Sequence, residues 1–364
     1  MLVEPSQLIP GCVLLRDVKG KSNRPIIPES TVLTEEHIMV LQKYLVQTVA
    51  VATKLATGDT YVPKAIEQKK IIKQKQIEAE QNLSFSDHFT EVVADYKQLF
   101  IQWQNGMPID IPAVRKLIIP LLERIENINT EAYTLHHETT KSEYIYYHSV
   151  AVGILSAYIG KKLDYSKGEW LQIGLAGFLS DSGMAKIDSN IISKTGYLTD
   201  SEFAEIKKHP TFSYRLLEHL PAINPAVKLA VVQHHERLDG SGYPLGIAQD
   251  KIHIYARIIA IADTYYAMTS DRLYREKKSA FQVIEEIQKE QYSKLDYQIV
   301  KVFIEHLLNI ATGTKVMLSN GQTGKIVFTN PDNPTRPMIQ LDTNNEIIVL
   351  KDRPDLYINE IMKD

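Results

Sequence analysis

Between about residues 84 and 311 the chain is patterned almost entirely as amphipathic helix, and two aspartates sit where an apolar core cannot hold them unaided. Asp263 lies in RIIAIADTYYAM, and Asp181 follows the apolar run IGLAGFL. A buried carboxylate costs several kcal/mol unless it is paired or bound to a metal. The helical pattern itself is repeated in VRKLIIPLLERIENI, SVAVGILSAYIGKKL, EFAEIKKHPTFSYRLLEHL, AVKLAVVQHHE and AFQVIEEIQKE. Most of these place apolar residues at i, i+3, i+4 and i+7. Breaks fall at Pro108, Gly196, Pro221, Pro225 and Gly240 to Pro244,. The reading is a mainly α fold: a bundle of many helices, without a repeat period.

The flanks differ. Residues 1–62 contain GCVLLRDV and TVAVAT, β-branched runs that read as short strands,. Between them TEEHIMVLQKYLV has helical spacing at Ile38, Leu41 and Leu45, behind a Thr34 cap,. This is a small N-terminal α/β module. Residues 63–105 read as a helical connector, opening with KAIEQKKIIKQKQIEAEQN. Its acids interleave with its lysines, so it is a solvated helix rather than a basic tail, and it offers a surface for a homodimer. Residues 106–311 are the helical domain. Residues 312–364 form a small C-terminal antiparallel β module: TKVMLSNGQTGKIVFTN turns at Asn320-Gly321, and MIQLDTNNEIIVL repeats the design around Thr343 to Asn345,.

Composition excludes several classes. With 364 residues, 44% of them hydrophobic, the chain can bury a large core,. A net charge of −3 gives no bulk attraction to a nucleic acid polymer,. One cysteine, Cys12, rules out an intramolecular disulfide and fits a reducing compartment,. The N-terminus lacks a basic region followed by an apolar run, and no apolar run reaches membrane-spanning length,. A cytoplasmic protein, not bound to membrane, is expected.

Of the eleven histidines, four are candidates for chemistry: His148, His209, His234 and His235, grouped with Asp181 and Asp263. Imidazole and carboxylate together suit divalent transition ions. His37, His88, His136, His137, His219, His253 and His306 are read as ordinary core or surface residues. His234 and His235 are adjacent, and helix neighbours point about a quarter-turn apart. Both reach one site only if it is large or holds two metals. Spacing alone leads no further than a metal-dependent hydrolase.

The segments YIYYHSVAV, KKHPTFSYRLL, HHERLDGSGYP and ARIIAIADTYYAMTSDRLYR, in that order, carry a family likeness. Residues from about 140 to 290 resemble the HD-GYP domain, a branch of the HD superfamily of metal-dependent phosphohydrolases. Gly242, Tyr243 and Pro244 match its naming signature. The resemblance implies an HD-type helical bundle and hydrolysis of the bacterial second messenger cyclic di-GMP at a binuclear iron or manganese site. It implies His148, Asp181 and Asp263 around one metal and Asp181, His209, His234 and His235 around the other, with Asp181 bridging. Tyr144 stands where trinuclear members carry glutamate, which argues against a third ion. Arg272, Arg275 and Lys278 would neutralise substrate phosphates, and the Gly242-Tyr243-Pro244 loop would shape the pocket rim. Signalling proteins are the other partners implied.

The sequence departs from the family at two chemical positions. Where the pattern is His-Asp-x-Gly-Lys, this chain reads Ser180, Asp181, Ser182, Gly183, Met184. A neutral hydroxyl binds these ions weakly, and Met184 cannot contact phosphate. The expectation is a weakened phosphodiesterase. The alternatives are a catalytically inactive cyclic di-GMP receptor and a protein-interaction module.

Overall fold

The computed structural model describes residues 1–19, 25–43, 46, 48–63, 83–126, 135–271, 277–290, 293–308, 311–331 and 333–362. The chain divides into two compact units, Met1–Leu83 and Ser84–Asp364.

The first unit is α/β. Strands β1 (Leu2–Val3) and β4 (Val49–Ala50) pair antiparallel, as do β2 (Val18–Lys19) and β3 (Pro25–Ile27). Helix α1 (Glu35–Lys43) lies between β3 and β4 in the chain, and Thr34 caps it by accepting from the His37 amide at 3.3 Å,. Leu14, Leu33, Leu41 and Val51 form its core. The expected connector helix starting at Lys64 falls outside the described residues as far as residue 82.

The second unit opens with α2 (Phe85–Gln104), capped by Ser84, and α3 (Ile111–Glu123), capped by Asp110. Helix α2 occupies the latter part of the span read as a connector, residues 63–105, and belongs to the second unit. It buries Phe89, Val92, Tyr96, Phe100 and Trp103 in the same core as α3 and the helices that follow. Its acids and Lys97 occupy the solvent face. An amphipathic pattern identifies a buried face but not what covers it.

Helix α4 (Tyr144–Lys162) is the axis of the bundle, with every residue from Tyr147 to Gly160 buried. A helix apolar all round must be surrounded. Helix α5 (Lys167–Leu179), started by a Ser166–Glu169 capping box, folds back along it,. The two backbones come unusually close. A Cβ at Gly174 would lie 2.8 Å from the Ala157 Cβ, and one at Gly177 would lie 2.8 Å from the Val152 carbonyl. In this hairpin the start of α4 and the end of α5 share one end, which places His148 and Asp181 together.

The remaining helices are α6 (Ser189–Ile192), α7 (Asp200–Ile206), α8 (His209–Leu217), α9 (Pro225–Gln233), α10 (Ile254–Thr269), α11 (Ala280–Glu290) and α12 (Tyr297–Leu307). Helix α10, like α4, is buried along most of its length. The unit ends in an antiparallel sheet of order β8-β7-β6-β5-β9, made of β5 (Lys315–Leu318), β6 (Thr323–Phe328), β7 (Met338–Leu341), β8 (Ile347–Val349) and β9 (Ile358–Ile361). Both expected hairpins form, with Gly321 and Asn345 at positive φ in their turns. The sheet is fixed to α11: Arg336 donates to both carboxylate oxygens of Glu285 at 2.6 and 2.8 Å, and Ser279 donates to the Ile358 carbonyl. Among the described residues no helix is long and apolar enough to cross a membrane.

Candidate metal centre

Five stretches of backbone deliver six polar side chains to one point. His148 lies in the second turn of α4, Asp181 just past α5, His209 opens α8, His234 and His235 follow α9, and Asp263 lies within α10. His148, Asp181, His209, His234 and Asp263 are buried, and His235 is half-buried.

Asp181 is the hub. Its Oδ1 lies 3.1 Å from His209 Nε2 and 3.6 Å from His234 Nε2, and its Oδ2 lies 3.3 Å from His148 Nε2. Asp263 takes the other side, with Oδ1 3.0 Å from His148 Nε2 and Oδ2 3.6 Å from His235 Nδ1. One ligand atom from each of Asp181, His209, His234 and His235 lies within 4.8 Å of the others.

The orientation of the rings decides what the cluster can hold. His209 Nδ1 sits 2.8 Å from the Ile206 carbonyl, and His234 Nδ1 sits 2.7 Å from the Val231 carbonyl. A neutral imidazole that donates from Nδ1 presents a lone pair at Nε2. The two Nε2 atoms face each other 3.2 Å apart with an Asp181 oxygen beside them. With both rings donating from Nδ1, three acceptors converge, an arrangement that fits a cation, and nitrogen with carboxylate suits a divalent transition ion. His148 is oriented similarly, its Nδ1 lying 2.9 Å from the Tyr144 hydroxyl.

The electrostatics call for positive charge among these groups, whether on the histidines or on an ion between them,. Burial by itself raises the Asp181 carboxyl, but the charge and hydrogen bond of His209, the hydrogen bond of His234 and the charge of His148 overcome this and hold it well below the usual carboxylate range,. Asp263 is likewise held down against burial by His235 and His148. Burial, reinforced by His234, drives His235 well below its ordinary value, so near neutral pH it offers a lone pair,. The cluster therefore carries two anionic carboxylates in a buried setting, a state that a cation stabilises.

The HD domain profile matches residues 120–299. This segment belongs to the HD domain family. The chain is also similar to cyclic di-GMP phosphodiesterase PA4108 of Pseudomonas aeruginosa, 31% identical over 229 residues, covering 63% of this chain and 55% of that protein. The cyclic di-GMP phosphodiesterase of Thermotoga maritima is 36% identical over 163 residues, 43% of each chain. The 3'3'-cGAMP-specific phosphodiesterase 1 of Vibrio cholerae is 34% identical over 167 residues, 46% of this chain and 38% of that one. The chain thus spans about half the length of the first two of these curated relatives, or less. The solved structure of Bd1817, a HDG"Y"P protein from Bdellovibrio bacteriovorus, aligns with a TM-score of 0.50 at 14% identity, over 83% of this chain and 97% of that one, a likeness of fold.

Ser180 and Met184, where the sequence reading expects a departure from the resembled pattern, both have partners of their own. Ser180 is buried and donates its hydroxyl hydrogen to the Gly177 carbonyl at 2.8 Å. Met184 packs against the helical core. Lys186, the nearest lysine, donates to the Trp103 carbonyl at 2.6 Å and does not replace a lysine at 184. Lys278 is exposed and paired with Glu286. Arg272 and Arg275 lie outside the described residues.

The Gly242-Tyr243-Pro244 loop folds back onto the histidines. The Tyr243 ring stacks on His235 with centroids 4.7 Å apart, and the Tyr243 amide donates to the His235 carbonyl at 3.2 Å. Burial pushes the Tyr243 hydroxyl upward, so it stays protonated. Pro244 lies partly buried beside it. Glu236, to which the sequence alone assigns no role, closes the loop: its two buried oxygens accept from the Leu245 amide at 2.7 Å and the Ile247 amide at 3.2 Å. The one sequence signal is its place directly after His235, since a carboxylate between a ligand pair and a glycine turn has loop amides within reach.

Gly242 has no room for a side chain. A Cβ there would lie 2.5 Å from the Arg237 nitrogen, the Glu236 Cα and the His235 carbonyl oxygen, all backbone atoms. Gly242→Ala is expected to destabilise the chain by roughly 1–3 kcal/mol and to lift Tyr243 from His235. Thermal melting of metal-free protein checks this. An unchanged melting temperature would show that the loop can shift freely.

Proposed function

We propose that this chain is a metal-dependent phosphodiesterase whose substrate is cyclic di-GMP. The carrying observation is Asp181, a buried carboxylate with one oxygen toward His209 and His234 and the other toward His148. That arrangement supports reading Asp181 as the carboxylate that two cation sites would share. We read His209, His234 and His235 with Asp181 as one cation site, and His148 and Asp263 with Asp181 as the other. Iron or manganese suits this donor set. When bound, such ions supply an activated water near neutral pH and offset charge on the phosphate during in-line attack.

The chain's own groups prepare that chemistry. The Ile206 and Val231 carbonyls fix the rings of His209 and His234, and the Tyr144 hydroxyl fixes His148. Glu236 holds the loop that lays Tyr243 over His235. A pocket of about 400 Å³ opens beside His235 and Tyr243, bounded by Phe203, Lys207, Glu286 and Lys294. A cavity of this size receives a nucleotide-sized group. The relatives named as cyclic di-GMP phosphodiesterases support the substrate, and buried Cys12 fits a reducing cytoplasm,.

A second reading has its own observation. Because Ser180 spends its hydroxyl hydrogen on Gly177 and Met184 lies partly buried against the core, a receptor that binds cyclic di-GMP without turnover is the competing function. The experiment is anaerobic hydrolysis by the full chain with manganese, then ferrous iron, against His235→Ala. Linear dinucleotide at a rate at least about a hundredfold above that variant is the expected result. Binding without product would make the protein a receptor, and neither binding nor product would point to a protein partner.

A further inference from the structure

Among the described residues that line the pocket beside His235, one cation is paired with neither a carboxylate nor a carbonyl. Lys207 stands in the turn between α7 and α8, two residues before His209. Its Nζ lies 4.8 Å from the centroid of the Phe203 ring and 5.3 Å from that of Tyr243. Ring faces hold an ammonium in place without discharging it. The other described cations nearby are committed. Arg237 donates to the His234 and Glu236 carbonyls, Lys294 pairs with Glu290 and Lys278 with Glu286. Near Lys207 in the chain, Lys208 pairs with Glu205 and Lys194 with Glu202.

We propose that Lys207 binds a phosphate of the substrate, and that this phosphate is the one not being cleaved. This rests on the phosphodiesterase reading above. A cyclic dinucleotide carries two phosphodiesters, and only the reacting one can sit on the Asp181 cluster. Tyr243 stacks on His235 and lies under Lys207, and among the described residues Lys207 forms no ion pair with Asp181 or Asp263 of the cluster. It is therefore free to address a group other than the one held on the cluster. An ammonium meeting a phosphate oxygen makes a charge-assisted hydrogen bond. A contact to a group unchanged during reaction holds ground state and transition state equally, so it acts on KM and not on kcat.

The test compares wild type, Lys207→Gln and Lys207→Arg in the manganese-loaded full chain with cyclic di-GMP. Lys207→Gln should raise KM by roughly tenfold with kcat within about threefold, and Lys207→Arg should stay close to wild type in both. An unchanged KM in Lys207→Gln overturns the proposal while leaving the phosphodiesterase reading intact. A fall in kcat at constant KM also overturns it, because it would place the lysine on the reacting phosphate. Should wild type bind the nucleotide without turnover, the phosphodiesterase reading falls by itself, and the dissociation constants of the three proteins decide on Lys207. Absence of both binding and turnover in wild type removes both readings.

Discussion

Asp181→Asn should strip the centre of metal and abolish hydrolysis. The amide keeps the size of the carboxylate and so leaves the end of α5 packed as it is. It removes the anion toward which His148, His209 and His234 converge at 3.1 to 3.6 Å. It also introduces an N–H₂ donor into a point where the imidazoles already present lone pairs. The group that burial penalises and three histidines rescue is thereby replaced by one that cannot bridge two cations. Metal content after purification with added manganese is expected to fall at least about tenfold, a loss in the range that even supporting groups around a metal produce. Thermal stability gives an independent readout. A bound ion stabilises only the folded state, by about 2.7 kcal/mol at a concentration a hundredfold above its dissociation constant. Manganese should therefore raise the melting temperature of wild type and leave that of Asp181→Asn unmoved. Equal metal content in the two proteins would remove Asp181 from the ligand set and with it the bridging geometry.

How much of this was legible in the sequence varies from residue to residue, for physical reasons. Asp263 announces itself because an acid in an apolar helix has few states open to it. His209, His234 and His235 are legible as a set because motif order places them, although helix periodicity alone never brings α8 and α9 together. The burial of α2 was not legible in the same way. Its apolar stripe is plain, yet the partner of that stripe is α4, about fifty residues away, and Pro108 reads equally well as a domain boundary or a turn. Glu236 and Lys207 are harder still. Glu236 acts on amides that reach it only after the loop has folded back through Gly242. Lys207 lies beside an ordinary lysine, Lys208, which pairs with Glu205. Only the placement of Phe203 and Tyr243 separates the two.

Ser180→His combined with Met184→Lys should raise hydrolysis of cyclic di-GMP by at least about tenfold. This reverses the two departures at the point where they bear on chemistry. The Ser180 hydroxyl contributes a hydrogen bond to Gly177 within its own helix end. Losing that bond costs only about 1 kcal/mol. An imidazole in its place is expected to add a strong donor atom beside Asp181, where the hydroxyl is turned to Gly177,. At 184 the thioether lies partly buried against the helical core. A lysine can run its stem along the same apolar surface while carrying its ammonium outward. Each single change is expected to give less than its share, because a ligand without the phosphate cation, or the cation without the ligand, stabilises only part of the same transition state. The four proteins thus form a cycle in which the coupling between positions is itself the measurement. Positive coupling, with metal content rising in the two variants that carry the Ser180→His change, would show that the centre is weakened rather than redesigned. No gain in the double variant, with its melting temperature within a few degrees of wild type, would mean that the surrounding backbone no longer directs position 180 at the metals. The receptor reading would then be the better account of why Asp181 and the five ligand-type side chains around it persist.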